Sequence, residues 1–166
     1  MARLNNVSLF GIVAEDPIII MDDATGSYKK GQAFLIVASA NRENGISTNV
    51  FYSKPFLYSE DPDIVAEMSN WKKNDLVSAK GVITTLNANK GTICAHCHEK
   101  SSRPGEVSLI TPIYIETRYT GLEEKEATRI LNEKREISNQ VYLLGSLCDD
   151  VNGRKESTIY KDIISQ

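Results

Sequence analysis

The stretch 50–58 carries side chains that are suited to binding another molecule. Its composition, rich in aromatic and branched residues, is typical of a β-strand. Because side chains alternate between the two faces of a strand, one face would carry four of these residues: Tyr52, Lys54, Phe56 and Tyr58. Aromatic rings stack on bases and a cation contacts phosphate, so this row could bind a single nucleic-acid strand. In the alternative interpretation, Phe56 and Tyr58 belong to the hydrophobic core.

A short cysteine- and histidine-containing stretch could bind a metal ion. Cys94 and Cys97 have the spacing of a zinc-binding pair, and His96 or His98 could add a ligand. Structural zinc usually has four protein ligands, commonly from two separated pairs, and Cys148 is alone and distant. The same letters match the c-type haem attachment pattern, but a haem protein should be exported. The sequence therefore predicts no cofactor, with zinc on Cys94, Cys97 and His98 as the alternative.

The opposite face of the strand, and the segment that follows it, predict a buried core. Phe51 and Leu57 would face the interior if the row described above faces solvent. A helix is predicted over 61–73, because Asp61 is a suitable N-cap and Pro62 a suitable first helical residue. Apolar residues at helical spacing predict its buried face: Ile64, Met68 and Trp71.

Three segments, taken in order, resemble the bacterial single-stranded DNA-binding proteins. Residues 5–17 resemble the opening strand of that family with its Asp-Pro turn, and residues 31–42 resemble its second strand with an Asn-Arg ending. Residues 71–81, Trp-Lys-Lys-Asn-Asp-Leu-Val-Ser-Ala-Lys-Gly, resemble its helix end, turn and following strand. The resemblance implies an all-β OB-fold over residues 1–120, a five-stranded Greek-key barrel with one helix between strands 3 and 4.

The resemblance also implies which residues would contact DNA. Tyr52 and Tyr58 fall where that family places stacking aromatic residues, and Lys54 falls between them, where a basic residue is common.

The expected strands cover residues 7–13, 32–40, 50–58, 76–84 and 107–117. A long polar excursion over 87–106 would connect the last two strands and border the ligand groove.

The charge balance neither requires nor excludes a nucleic-acid ligand. The formal net charge is −3, from 19 Lys and Arg against 22 Asp and Glu. Phosphate contacts are local, so a positive groove matters more than the total charge. Four further cations could line such a groove, although each could equally be ordinary surface charge: Arg3, Arg42, Lys80 and Lys90.

The C-terminal part predicts a linker and the beginning of a repeat. Residues 121–138 read as an exposed linker helix without a binding role, because its apolar stripe is thin: Leu122, Ala127, Ile130 and Leu131. Residues 139–150 then repeat residues 5–16 at an offset of 134, with Asn, Val, Leu, Gly and Asp coinciding. We therefore expect residues 139–166 to form the first two strands of a second OB unit.

Together, these patterns predict a binding protein rather than an enzyme. The sequence has no phosphate-binding loop, nucleophile elbow or metal-carboxylate motif. We expect sequence-tolerant binding of single-stranded DNA in replication, recombination or transfer, by a homo-oligomer or by tandem OB units. The alternatives are an OB-fold module for protein assembly and a small zinc protein built on Cys94 and Cys97. No apolar signal region and no apolar run of about 18 residues occur, which predicts a cytoplasmic protein without a membrane span.

Overall fold

Strands make up most of the chain. The computed structural model describes residues 4–43 and 46–145, apart from the side chains of residues 41–43, 46–48, 90 and 92. The elements are, in order, β1 (Leu4–Val13), β2 (Ile18–Met21), β3 (Tyr28–Glu43), β4 (Ile46–Ser53), β5 (Phe56–Ser59), α1 (Pro62–Met68), β6 (Leu76–Ile93), β7 (Lys100–Tyr119), α2 (Glu124–Glu133), α3 (Arg135–Ser138) and β8 (Asn139–Leu144).

Five of these strands form a closed ring. β1 pairs with β3 and β6, β3 pairs with β5, and β6 pairs with β7, all antiparallel. The ring closes through a parallel contact between β5 and β7, at Leu57 and Ile110. Helix α1 lies between β5 and β6, the third and fourth strands of the ring. This arrangement is compatible with the predicted OB-fold barrel.

The barrel interior is apolar and α1 contributes to it. The inward residues of the strands form one cluster with Met68 and Trp71, both fully buried as predicted, and Ile64 packs against this cluster. The Asp61 side chain accepts hydrogen bonds from the backbone N–H groups of Asp63 and Ile64, which confirms the predicted N-cap. The helix ends at Met68 and not at residue 73, since residues 69–71 continue as tighter turns.

The strand predicted over 50–58 is interrupted at Pro55. β4 pairs with residues 37–43 of β3, and β5 pairs with residues 31–34, so both halves follow the same partner strand. Proline has no N–H group to donate to a ladder, which accounts for the break. Leu57 is buried as expected, but Phe51 is 55% exposed, so the prediction that Phe51 belongs to the core is wrong. Phe51 lies on the β3–β4 hairpin where it extends beyond the closed ring.

The segment 87–106, expected as a polar excursion, is a two-stranded ribbon. β6 and β7 stay paired as far as Ile93 and Lys100, well beyond the predicted ends of strands 4 and 5. Only residues 94–99 form the connecting loop. A local sequence pattern underestimates the length of such strands, because their polar side chains face solvent on both sides of the ribbon and show no apolar alternation.

The helical segment after the barrel is packed and not solvated. Ala127 and Leu131 of α2 are fully buried in a second apolar cluster on the outer side of the barrel. Its other buried members come from β1, β3 and the start of β6: Phe10, Ile12, Ala38 and Leu76. The expectation of an exposed helix is therefore wrong. The apolar stripe of the helix is narrow, but it packs on an apolar surface that exists only once β1 and β3 are paired.

Ser138 of α3 connects the two strands at the seam of the ring. β1 and β3 pair only at Ile12 with Ile36 and at Val13 with Leu35. Beyond these pairs, the fully buried Ser138 hydroxyl forms hydrogen bonds with one backbone group of each strand. It donates to the Phe10 carbonyl at 2.5 Å and accepts from the Ala38 N–H at 2.9 Å. A buried backbone group without a partner is costly, so this hydroxyl completes the pairing.

β8 extends the barrel sheet at its edge. It pairs antiparallel with β1, with Val141 opposite Val7 and Leu144 opposite Leu4. A strand was predicted over 141–147, and the structure has one as far as Leu144. Residues 146–166, with the predicted second strand of the repeat, lie outside the described residues.

We predict that Ser138→Ala destabilises the fold. The substitution leaves the Phe10 carbonyl and the Ala38 N–H buried without a partner, at a cost of about 1–3 kcal/mol for each group. Urea denaturation followed by circular dichroism measures the free energy of unfolding. Ser108→Ala, at an exposed serine of β7, is the matched control and should leave that free energy unchanged. Equal midpoints for the two variants would show that the hydroxyl bridge is dispensable.

Candidate nucleic-acid interface

Four side chains lie on the outer side of the barrel at β3 and β5; we call them the aromatic face: Phe34, Lys54, Phe56 and Tyr58. Phe34 and Phe56 are direct cross-strand partners, and their ring centroids are 4.9 Å apart with the planes tilted by 34°. The Lys54 ammonium lies 4.9 Å from the centroid of the Phe34 ring. The three rings are half-buried, so part of each is exposed to solvent. The face thus combines adjacent π surfaces with a cation, the requirement for binding a single strand.

Phe34 is the member of this face that the sequence reasoning missed. It lies between Ala33 and Leu35, both buried inside the barrel. Because side chains alternate along a strand, this pattern alone directs Phe34 outwards. The register of β3 against β5, which brings Phe34 beside Phe56, depends on the fold and could not be read from either strand.

Tyr52 does not join the aromatic face. It lies on β4, beyond the break at Pro55, and is 51% exposed. Its hydroxyl donates to Oδ1 of Asn132 on α2 at 2.5 Å. Tyr52 also lines a cleft of about 290 Å³ between α2 and the seam strands. Of the predicted row, the structure therefore brings together Lys54, Phe56 and Tyr58 and places Tyr52 against the helix.

Carboxylates accompany the polar groups of the aromatic face. Lys54 Nζ lies 3.0 Å from Glu15 Oε1, and the Tyr58 hydroxyl donates to Glu60 Oε1 at 2.6 Å. Lys30 Nζ lies 3.8 Å from the same Glu60 oxygen. The hydrogen bond to Glu60, with smaller effects of burial and of the Glu60 charge, raises the pKa of Tyr58 above its usual value of 10. Tyr58 is therefore neutral at physiological pH.

The other predicted cations do not converge on this face. Lys80 is exposed on β6 and lines a different cleft, together with Arg118 and Lys134. Arg3 lies outside the described residues. Arg42 and Lys90 have backbone positions in β3 and β6, but their side chains are outside the described part of the structure. Their predicted DNA contacts stay predictions.

The cysteine loop is a tight turn at the end of the ribbon. The Cys94 N–H bonds to the Glu99 carbonyl at 3.0 Å, the His98 N–H bonds to the Cys94 carbonyl at 2.9 Å, and His98 has a φ of 57°. Cys94 and Cys97 are exposed free thiols. Hydrogen bonds from the Cys97 backbone, then from the His96 backbone and the Cys97 side chain, lower the pKa of Cys94.

This loop does not form a recognisable metal site. Within residues 4–43 and 46–145, no group of three or more His, Cys, Asp or Glu side chains is arranged to hold a metal ion. Zinc on Cys94, Cys97 and His98 stays a prediction, which a direct measurement can test.

Solved structures resemble this barrel. The fold matches that of a single-stranded DNA-binding protein. An SSB from Plasmodium falciparum, solved in complex with ssDNA, aligns with a TM-score of 0.51 and 16% identity over 72% of this chain and 98% of that one. At this identity the likeness concerns the fold, and it confirms the resemblance on which the OB-fold prediction rests.

Two further structures align less well. The small single-stranded DNA-binding protein from Streptomyces coelicolor has a TM-score of 0.47 and 13% identity over 71% of this chain and 96% of that one. A deletion variant of the single-stranded DNA binding protein from Thermus aquaticus has a TM-score of 0.49 and 15% identity, over 71% of this chain and 52% of that one. No family model and no curated protein match the sequence. None of the helices in the described residues has the length and apolar character needed to cross a bilayer.

We predict that Cys94 is alkylated faster than Cys97 at neutral pH, since a lowered pKa increases the thiolate fraction of Cys94. Iodoacetamide labelling followed by peptide mass mapping gives both rates in one sample. The zinc prediction requires that added zinc slows both reactions and that a chelator restores them. Rates that are unaffected by zinc would exclude the metal site, and equal rates without zinc would contradict the lowered pKa of Cys94.

Proposed function

We propose that this protein binds single-stranded DNA on the aromatic face, without strong sequence preference. The observation that carries the proposal is the contact between the Phe34 and Phe56 rings, with the Lys54 ammonium over the Phe34 ring, on the outer side of the barrel. The Plasmodium structure of similar fold contains ssDNA, which supports the same ligand here. Every base has a π face, so stacking on these rings would tolerate any sequence.

Binding at this face would require an exchange of partners. Lys54 pairs with Glu15 and Lys30 with Glu60, and all four side chains are well exposed. Exposed ion pairs contribute about 0–1 kcal/mol, so a phosphate group can replace a carboxylate at small cost. The carboxylates would weaken non-productive anion binding and leave stacking as the main source of affinity.

The same carboxylates favour the second candidate function, a module for protein assembly. If Glu15 and Glu60 kept their cations, the face would present rings to a protein partner and not to phosphate. Neutralising Glu15 distinguishes the two functions, because it should strengthen DNA binding and has no such effect if DNA is not the ligand. In the DNA-binding case, we infer a non-catalytic, cytoplasmic role in replication, recombination or transfer.

We predict that Tyr58→Ala weakens binding to oligo(dT) by about tenfold or more. Stacking is worth about 1–3 kcal/mol per base, and about 1.4 kcal/mol corresponds to tenfold. Tyr58→Phe keeps the ring and should bind like the wild type. Tyr119→Ala, at an exposed tyrosine on the end of β7, is the matched control. Fluorescence anisotropy gives the affinities, and thermal denaturation checks that each variant is folded.

Two charge changes complete this test. Lys54→Gln should reduce the slope of log affinity against log salt by about 0.7, the value for one phosphate contact on a single strand. Glu15→Gln should have the opposite effect and increase affinity at low salt, because it releases Lys54. Normal binding by Tyr58→Ala, together with no response to either charge change, would show that DNA does not bind at this face.

We also propose that β8 begins a second barrel unit. Val141 is the equivalent of Val7 in the repeat, and the two residues lie directly opposite each other in antiparallel strands. Equivalent strands paired in this way are related by a two-fold axis that passes between the two valines. Leu143 is the equivalent of Leu9, which is buried in the core, yet Leu143 is 65% exposed. Leu143 would be covered by further strands, supplied by residues 146–166 or by another copy of the chain.

We predict that Leu143→Asp lowers the melting temperature of the full chain or the mass of its oligomer, measured by calorimetry and light scattering. A second unit would bury this leucine, and a buried unpaired charge is strongly destabilising. Tyr142→Asp, 54% exposed on the other face of β8, is the matched control. If the two variants behave alike, β8 is only an added edge strand.

A further inference from the structure

The outer side of the sheet formed by β8, β1, β6 and β7 has a cleft of about 290 Å³ that is rich in cations. Its charged members, which we call the basic cleft, are Lys80, Arg118 and Lys134. We propose that the basic cleft binds the phosphate backbone of a nucleic-acid strand, as a second surface apart from the aromatic face. This inference rests on the proposed function and extends it to a longer strand.

The chemistry of the lining matches a phosphate backbone. Besides the three cations, the cleft is lined by the hydroxyls of Ser8 and Ser78 and by the amide of Gln140. Phosphate and sugar contacts in nucleic-acid complexes come from lysine and arginine together with such hydroxyl and amide groups. No carboxylate is among the described residues that line this cleft. Glu116, the cross-strand partner of Ser78, is a carboxylate at the border of the cleft. Its Oε2 lies 2.9 Å from Nη1 of Arg118 and accepts a hydrogen bond from the Tyr114 hydroxyl at 3.5 Å.

The fold holds two of these cations beside aromatic rings. Lys134 Nζ lies 5.9 Å from the centroid of the Phe10 ring, on the core side of the cleft. Lys80 is the cross-strand partner of Ser8 on one side and of Tyr114 on the other. The Tyr114 ring is exposed, so a base could stack next to a phosphate held by Lys80. In the described residues, neither lysine forms an ion pair with a carboxylate.

The two surfaces differ in how their lysines are paired. Lys54 and Lys30 on the aromatic side are each paired with a glutamate, whereas Lys80 and Lys134 are available to an external anion. Residues of α2 line the cleft beside Tyr52, and Lys134 and Ile137, at the other end of this helical segment, line the basic cleft. This helical segment therefore contributes to both the cleft beside Tyr52 and the basic cleft.

Oligonucleotides of two lengths test this inference. Single OB units contact about 4–16 nucleotides, so an 8-mer of dT should occupy the aromatic face alone and a 30-mer should reach both surfaces. The double variant Lys80→Gln and Lys134→Gln should bind the 8-mer like the wild type. For the 30-mer its salt slope should be smaller by about 1.4, or about 0.7 for each lost phosphate contact. Lys125→Gln, at an exposed lysine on α2, is the matched control and should change neither.

The outcomes separate this inference from the proposed function. If Tyr58→Ala weakens binding of both lengths and the double variant binds both like the wild type, the basic cleft is not a DNA surface. If the double variant is impaired and Tyr58→Ala is not, the aromatic face is wrong and the basic cleft stands. No binding by the wild type overturns both proposals. A change in oligomer mass in the double variant would mean that another copy of the chain occupies the cleft, which also overturns the inference.

Discussion

The closed barrel depends on a very short seam between β1 and β3. These strands pair at only two positions before they separate, and a Cβ atom at Gly11 would lie 2.8 Å from the Ile36 carbonyl oxygen. Only glycine allows the strands to approach so closely and then diverge. The diverging backbone groups are buried, and each would cost about 1–3 kcal/mol if left without a partner. The hydroxyl of Ser138 satisfies one group on each strand.

This requirement makes the segment after the barrel part of the domain. Ala127 and Leu131 of α2 pack on Phe10, Ile12 and their neighbours, and α3, which follows directly, brings Ser138 to the seam. The helix also holds Tyr52 through Asn132. The position of a candidate ligand-binding tyrosine is thus coupled to closure of the ring. The helical segment that completes the seam also lines both the cleft beside Tyr52 and the basic cleft.

Local signals in the sequence predicted the features that depend on residues close together in the chain. The Asp61 cap involves N–H groups two and three residues away, and the burial of Met68 and Trp71 follows from helical spacing. Features set by distant partners could not be predicted in this way. The surface that buries Leu131 does not exist until the barrel closes, and the role of Ser138 connects residues 100 and 128 positions away. The break at Pro55 was visible in the sequence, since proline cannot donate to a ladder.

A chain with a net charge of −3 can bind a polyanion only if its charges are separated in space. At physiological salt the Debye length is about 8 Å, so a phosphate responds to the few charges beside it and not to the total. On the aromatic side, glutamates balance the lysines, and rings supply the contact area. In the basic cleft, the cations outnumber the carboxylates, and rings are secondary. Stacking fixes a base over a ring at short range, whereas an unpaired cation attracts any nearby phosphate. In the proposed complex, the aromatic face would position the bases and the basic cleft would attract the phosphate backbone.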